Sequence, residues 1–224
     1  MLSISDQRIL DVKVSDNGEE LVNILDIPKI YLPSQIVLDE EKKKEMNDTK
    51  TPYLRETVKL KLIKAVENLP NGYGILLREA YRDYIVQMEW FLKTYLKLHQ
   101  KYPELKQKDV YDESVKYATD PDVYSPHVTG GAIDLALVDR DRNVLDVGQW
   151  IEEKEAKHFN YDGLNNQQRE YRDILKGTLE EQGFVNYPYE WWHYSYGDKY
   201  WGYLKGKDGF YDSIKLPSLV PQTL

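Results

Sequence analysis

The amino-acid sequence predicts an α+β fold, a small antiparallel sheet flanked by helices, and three observations lead there. Helix-spaced and strand-length apolar runs follow one another without regular βαβ alternation, which disfavours a parallel sheet. Two short strand runs, 184–187 and 190–196, are separated only around Pro188. At 224 residues, with 41% hydrophobic and 30% charged residues, the chain can build one sizeable core. Residues 1–224 therefore read as a single domain, with 1–50 as an N-terminal extension wrapping the core and 205–224 as a peripheral tail.

In chain order, residues 1–38 mix short apolar stretches (Leu21, Val22, Ile24, Leu25, Ile27) with Pro28 and Pro33, the pattern of strands and loops. Residues 39–50 are a charge run, expected to be solvated. Thr51-Pro52 reads as a helix N-cap followed by proline at the first helical position. Leu54, Val58, Leu62, Val66 and Leu69 follow at helical spacing, and Pro70-Asn71-Gly72 stops the helix. Residues 73–78 have the length and apolarity of a buried strand. A second helix carries Ile85, Met88, Leu92, Tyr95 and His99 on one face and ends before Pro103. Residues 132–139 form the next strand, turning at 139–143 into a short partner at Val144-Leu145. A third helix spans 165–182 and is closed by Gly183.

Composition excludes several function classes. The 38 acidic residues outnumber 30 Lys and Arg, a net charge of -8, which opposes binding to nucleic-acid phosphates. No apolar run reaches the ~18 to 20 residues of a membrane span. The first ten residues lack a basic segment followed by an apolar stretch, so the cytoplasm is the expected location. With no Cys, there can be neither disulfides nor thiolate metal sites nor Cys nucleophiles. A metal site must be built from Asp, Glu and four His.

Three polar clusters adjoin predicted strands. In the first, 125–134, His127 and Asp134 are separated by Gly130-Gly131. A spacing of seven would send them to opposite faces of a regular strand, but the glycines let the chain turn so that both can face one ion. Read alone, Asp134 could equally be a turn residue and His127 a surface one. In the second, Glu190-Trp191-Trp192-His193, the Glu precedes a His by three residues, as in hydrolases whose His binds zinc while the Glu handles a proton of water. A regular strand would separate Glu190 from His193, so a bulge or loop-to-strand transition is expected near Pro188. An aromatic core strand with a satisfied His is the plain alternative. In the third, Arg82 follows the 73–78 strand and can reach an anion in a cleft, or simply pair with Glu79 or Asp83. Taken together, His127, Asp134 and His193 offer three ligands with a fourth position open, the pattern of catalytic zinc. Glu190 is then the spare carboxylate and Arg82 the spare cation.

At these clusters the sequence resembles the D-alanyl-D-alanine dipeptidases, the cytoplasmic type of which contributes to vancomycin resistance, within a wider family of zinc D,D-peptidases. Ser125, His127, Gly130, Ala132 and Asp134 match the S-x-H-x-x-G-x-A-x-D motif, Glu190 and His193 the E-x-x-H motif, and Ala80-Tyr81-Arg82 the strand-end arginine motif. The matched span, 82–196, is about half the chain. The resemblance implies one zinc ion held by His127, Asp134 and His193 at the sheet, Glu190 as general base and Arg82 stabilising the tetrahedral intermediate. It further implies a small dipeptide substrate, with Ser125 at the substrate site and Glu152 facing the free amine. Two departures stand out: Asp83 replaces the usual proline after the motif arginine, and Glu152 replaces an aspartate. The expected activity is hydrolysis of D-alanyl-D-alanine or a similar small dipeptide. The rivals are a peptidoglycan D,D- or L,D-carboxypeptidase and a non-catalytic zinc or wall-binding module. Trp191 after Glu190 speaks against the first, since the carboxypeptidase branch tends to have proline there, and the intact Glu190 speaks against the second.

Overall fold

The computed structural model describes residues 2–38, 48–149 and 153–215. Most of the 39–50 charge run falls outside them, as does Glu152. In chain order come α1 (Gln7–Leu10), β1 (Leu21–Asn23), β2 (Ile30–Tyr31), β3 (Tyr53–Arg55), α2 (Glu56–Asn68), β4 (Gly74–Glu79) and α3 (Tyr84–Lys101). They are followed by α4 (Gln107–Ser114), β5 (Ala132–Val138), α5 (Asn166–Glu181), β6 (Val185–Tyr187), β7 (Glu190–Ser195) and α6 (Lys199–Lys205).

The main sheet runs β2-β4-β5-β7-β6 and is antiparallel throughout except at its β2 edge, which pairs parallel with β4. β1 and β3 form a separate antiparallel pair. One core unites Val58, Leu62, Ala65 and Val66 of α2 and Leu175 and Leu179 of α5 with Ile75 to Leu77 of β4 and Leu135 to Val138 of β5. Helix α5 starts on a capping box in which Asn165 and Gln168 satisfy each other's backbone N–H groups, and the chain leaves it through Gly183 at φ 90°. Buried Arg172 on α5 donates to the carbonyls of Val147, Ala156, His158 and Phe159, fastening these residues to the helix. No helix among the described residues is long and apolar enough to cross a membrane.

Three expectations need correction. The first long helix begins at Glu56, and Tyr53–Arg55 is a strand. Proline disfavours helical geometry in the residue before it, and the Thr51 hydroxyl donates to the Tyr81 carbonyl instead of capping a helix. Fully buried Leu54 is placed by pairing with Val22 across β1 and β3. Helix α4 was not foreseen, because its residues QKDVYDES bury only Val110 and Ser114 and show almost no apolar stripe. The stretch from 205 onward is no peripheral tail as far as 211. Phe210 and Tyr211 pack edge-on at 4.7 Å, Tyr211 is fully buried, and its hydroxyl donates to Glu19. Two aromatic rings bury far more apolar surface than the polar residues around them could keep solvated. The N-terminal extension is likewise structural, supplying β2 to the sheet and Ile24, Ile27, Ile30 and Ile36 to the core.

Candidate active site

Strand register assembles the site. Glu79 of β4 pairs with Asp134 of β5, which pairs with His193 of β7, so three polar residues stand in one row across an otherwise apolar sheet. His127 approaches from a 3₁₀ turn, Pro126–Thr129, that ends at Gly130 in the left-handed region (φ 72°). A side chain at Gly130 would meet Leu21 at 2.5 Å, and one at Gly131 would meet the Tyr196 carbonyl at 2.4 Å. The glycine pair thus gives the sharp turn the sequence led us to expect. Buried Arg55 braces the same turn by donating to the Thr129 carbonyl (2.8 Å).

The three metal-ligating atoms form a small triangle. His127 Nε2 lies 3.2 Å from His193 Nδ1 and 3.3 Å from Asp134 Oδ1, and His193 Nδ1 lies 3.0 Å from Asp134 Oδ1. The side chains are only 7%, 13% and 4% exposed for His127, Asp134 and His193. His127 Nδ1–H donates to the Ala80 carbonyl (2.8 Å), and His193 Nε2 faces the Ser195 hydroxyl (3.3 Å). With those outer nitrogens carrying protons, both inner nitrogens face each other and a carboxylate, a cluster that a proton on one ring or a bound metal ion relieves. A tetrahedral zinc with bonds of about 2.0–2.1 Å requires ligand–ligand edges of about 3.3 Å, and the triangle has that size. The donor set, one carboxylate and two imidazoles, is a zinc set, and the residues fit the ion. Burial pushes the Asp134 carboxyl up, but His127 and His193 outweigh it and hold it well below the usual carboxylate range. Burial alone would depress His127, and Asp134 more than offsets it, raising the imidazole above its ordinary value. Behind His193, Ser195 and Asp198 are both fully buried and Asp198 caps α6 by accepting from Trp201 N–H (2.9 Å), so the second ring nitrogen faces a hydroxyl held inside the core.

Glu190 reaches the same cleft through an irregularity in β7. Asn186 pairs with Tyr194 but Tyr187 pairs with Glu190, so one step along β6 spans four along β7. This is the expected bulge, stitched by buried Asn186, whose amide donates to the carbonyls of His193 (3.0 Å), Trp191 (3.3 Å) and Glu190 (3.4 Å). Glu190, Trp192 and His193 consequently line one cavity of about 310 Å³ with His127, Asp134 and Ser125. Burial is the main reason the Glu190 carboxyl sits above its ordinary pKa, with His193 opposing and Asp134 reinforcing. Among the described residues its carboxylate has no hydrogen-bond partner.

Arg82 also lines the cavity, but its fork is engaged: both Glu79 oxygens and the Gln87 side-chain oxygen accept from it, and its guanidinium stands 4.6 Å over Trp90. Its backbone N–H donates to the His127 carbonyl, fixing the strand end to the ligand turn. Ser125 is buried at the cavity wall. Glu152 lies outside the described residues. The structure adds groups that sequence reasoning passed over: Arg78, Trp192, Gln87, Tyr187, and Ser3 and Ile4 of the N-terminal extension. The extension's share had no local signal, because residues 1–38 read only as strands and loops, with no polar cluster among them.

Comparison with known proteins places the chain among the D-ala-D-ala dipeptidases. The sequence profile of the Peptidase M15 family, D-ala-D-ala dipeptidase, matches residues 39–213. A D-alanyl-D-alanine dipeptidase of Synechocystis sp. is 28% identical over 181 residues, 69% of this chain and 73% of that protein. The enzyme of the same name from Enterococcus faecium is 30% identical over 146 residues, 62% of this chain and 70% of its own. That from Enterococcus faecalis is 28% identical over 135 residues, 57% of this chain and 64% of its own. Among solved structures, VanYB in complex with D-alanine-D-alanine superposes with a TM-score of 0.43 at 15% identity, over 91% of this chain and 95% of that one.

Proposed function

Because the chain belongs to the Peptidase M15 family of D-Ala-D-Ala dipeptidases, we propose that it is a zinc-dependent dipeptidase acting on D-alanyl-D-alanine or a similarly small dipeptide. The observation that carries the proposal is the triangle of His127 Nε2, Asp134 Oδ1 and His193 Nδ1 in a cavity that also holds Glu190. When bound there, zinc supplies a Lewis acid for the scissile carbonyl and lowers the pKa of water toward ~7.

The remaining chemistry falls to the chain's own groups. Glu190 accepts the proton of the attacking water and passes it to the leaving amine; its half-buried carboxyl, raised by desolvation, is a stronger base than a solvated one. Arg82 faces the oxyanion as negative charge builds on the former carbonyl oxygen, with Glu79 and Gln87 holding its fork in place. Ser125 lies on the wall where the substrate backbone must pass. For the free amine the sequence offers Glu152.

The deciding assay compares free D-Ala-D-Ala with a pentapeptide stem ending in D-Ala-D-Ala, each with zinc and with a chelator. We expect chelator-sensitive release of D-alanine from the dipeptide. Faster cleavage of the stem would make the protein a carboxypeptidase. Zinc binding without cleavage of either substrate would make it a binding module.

A further inference from the structure

On the dipeptidase reading, one end of the substrate still lacks a partner: the free carboxylate. We propose that Arg78 is the specificity residue that receives it. β4 carries a bulge at this point, because Leu77 pairs with Leu135 and Glu79 with the adjacent Asp134, which leaves Arg78 as the extra residue. Bulges re-aim side chains beside functional sites, and this one brings Arg78 to the wall of the cavity that holds the metal ligands and Glu190. Its guanidinium stands 4.8 Å over the Trp192 ring and 5.7 Å over the Trp191 ring, an arrangement that fixes the planar fork while leaving its edge available.

What sets Arg78 apart is that no anion among the described residues is bound to it. Every other arginine whose guanidinium meets the protein interior has protein acceptors: Arg55 in Asp16 and backbone carbonyls, Arg172 in four carbonyls, and Arg82 in Glu79 and Gln87, which leave it one N–H on each terminal nitrogen for the oxyanion. Among the described residues, the Arg78 side chain has neither a hydrogen bond nor an ion pair. The charges of the cavity agree. Glu79, Asp134 and Glu190 are matched by Arg82 and a divalent ion, and Lys116 at the cavity wall pairs with Glu113, so Arg78 is the positive charge left over for an anionic ligand. Burial pulls its pKa below the ordinary arginine value, while Asp134, Glu190 and Glu79 draw it back up. A partly desolvated cation with no bonded partner gains most from a bidentate carboxylate.

The test separates carboxylate recognition from catalysis. Binding of D-Ala-D-Ala and of its C-terminal amide is measured by calorimetry on zinc-loaded Glu190→Gln protein, with Arg78 intact and with Arg78→Gln. With Arg78 we expect the acid to bind at least ~10-fold more tightly than the amide, the worth of one charge-assisted hydrogen-bonded pair. With Gln the preference should fall close to unity, and Arg78→Lys should restore part of it. Zinc content and far-UV circular dichroism verify the fold; if Gln disrupts it, Arg78→Met keeps the packing on Trp192 and carries the same comparison. An acid-to-amide preference unchanged by these substitutions overturns the assignment. The failure of the dipeptidase reading looks different: wild-type protein that hydrolyses neither ligand but prefers the acid would sink that reading and leave Arg78 as a carboxylate site.

Discussion

Arg172 and Arg78 both stand over the Trp191 ring, at 5.4 and 5.7 Å, yet they belong to regions built on opposite principles. Around Arg172, α5 meets Val147 and the 156–159 stretch in a region where burial draws the guanidinium down to about 10 and backbone carbonyls take up its donors. Around Arg78, charge is gathered and, among the described residues, left short of partners: two imidazole nitrogens face a carboxylate, and neither the Glu190 carboxylate nor the Arg78 guanidinium has a hydrogen-bonded partner. Buried polar groups are normally satisfied, so a cluster that is not costs stability and marks where a ligand completes it. Burial alone does not distinguish the two regions; the supply of partners does.

The largest effect that would sharpen this contrast is catalytic. Glu190→Gln is nearly isosteric and touches no metal-ligating atom, so zinc should stay near one equivalent while turnover falls by roughly 10²- to 10⁴-fold. Zinc lost with the activity would make Glu190 a ligand. Unchanged turnover would hand the proton transfer to another carboxylate.

On the other side of Trp191 the expectation inverts. Arg172→Leu removes the donors to buried carbonyls of Val147, Ala156 and His158, each costing about 1–3 kcal/mol if left unsatisfied, and should lower stability by roughly 3 kcal/mol or more. Zinc stoichiometry of the folded fraction should be normal. A chemical-denaturation midpoint within error of wild type would show that water replaces these bonds and would erase the distinction between the regions.

A smaller effect is expected at the boundary between them. Ser195→Ala removes the oxygen facing His193 Nε2 without touching a metal-ligating atom. Loss of such a partner typically weakens metal affinity ~10- to 100-fold, read by competition with a chromogenic chelator. Equal affinity would mean that packing alone orients His193.

Much of the site could be read from residue types, and much of its support could not. His127, Asp134 and His193 stood out because chemistry-bearing side chains flank a glycine pair or sit three residues from a Glu in an otherwise aromatic stretch. The bulge at Glu190 followed from strand periodicity, since without it Glu190 and His193 could not share a cleft. Arg78 escaped because its direction depends on the register between β4 and β5, a long-range pairing that leaves no trace in local spacing. The parallel β2 edge escaped because two residues are too few to show periodicity. The burial of Tyr211 depends on contacts with residues such as Glu19, nearly two hundred positions away.

The smallest expected effect concerns what the unsatisfied cleft costs when no ion fills it. Glu190 has a folded-state pKa raised chiefly by burial, so its protonated form fits the fold better than its carboxylate does. The sign follows: the stability due to protonated Glu190 is fully present below the ordinary Glu value of 4.5 and is lost as pH rises through the raised folded value. The neutral amide introduced by Glu190→Gln does not titrate and has no such loss. Metal-free Glu190→Gln should therefore melt together with metal-free wild type in acid and above it at pH ~8, while contributions from Asp134, shared by both proteins, cancel in the difference. Zinc should narrow the gap at the alkaline end, because a divalent cation favours the carboxylate. A melting difference independent of pH would place Glu190 in ordinary solvent, and the cleft would then be no more costly than the region around Arg172.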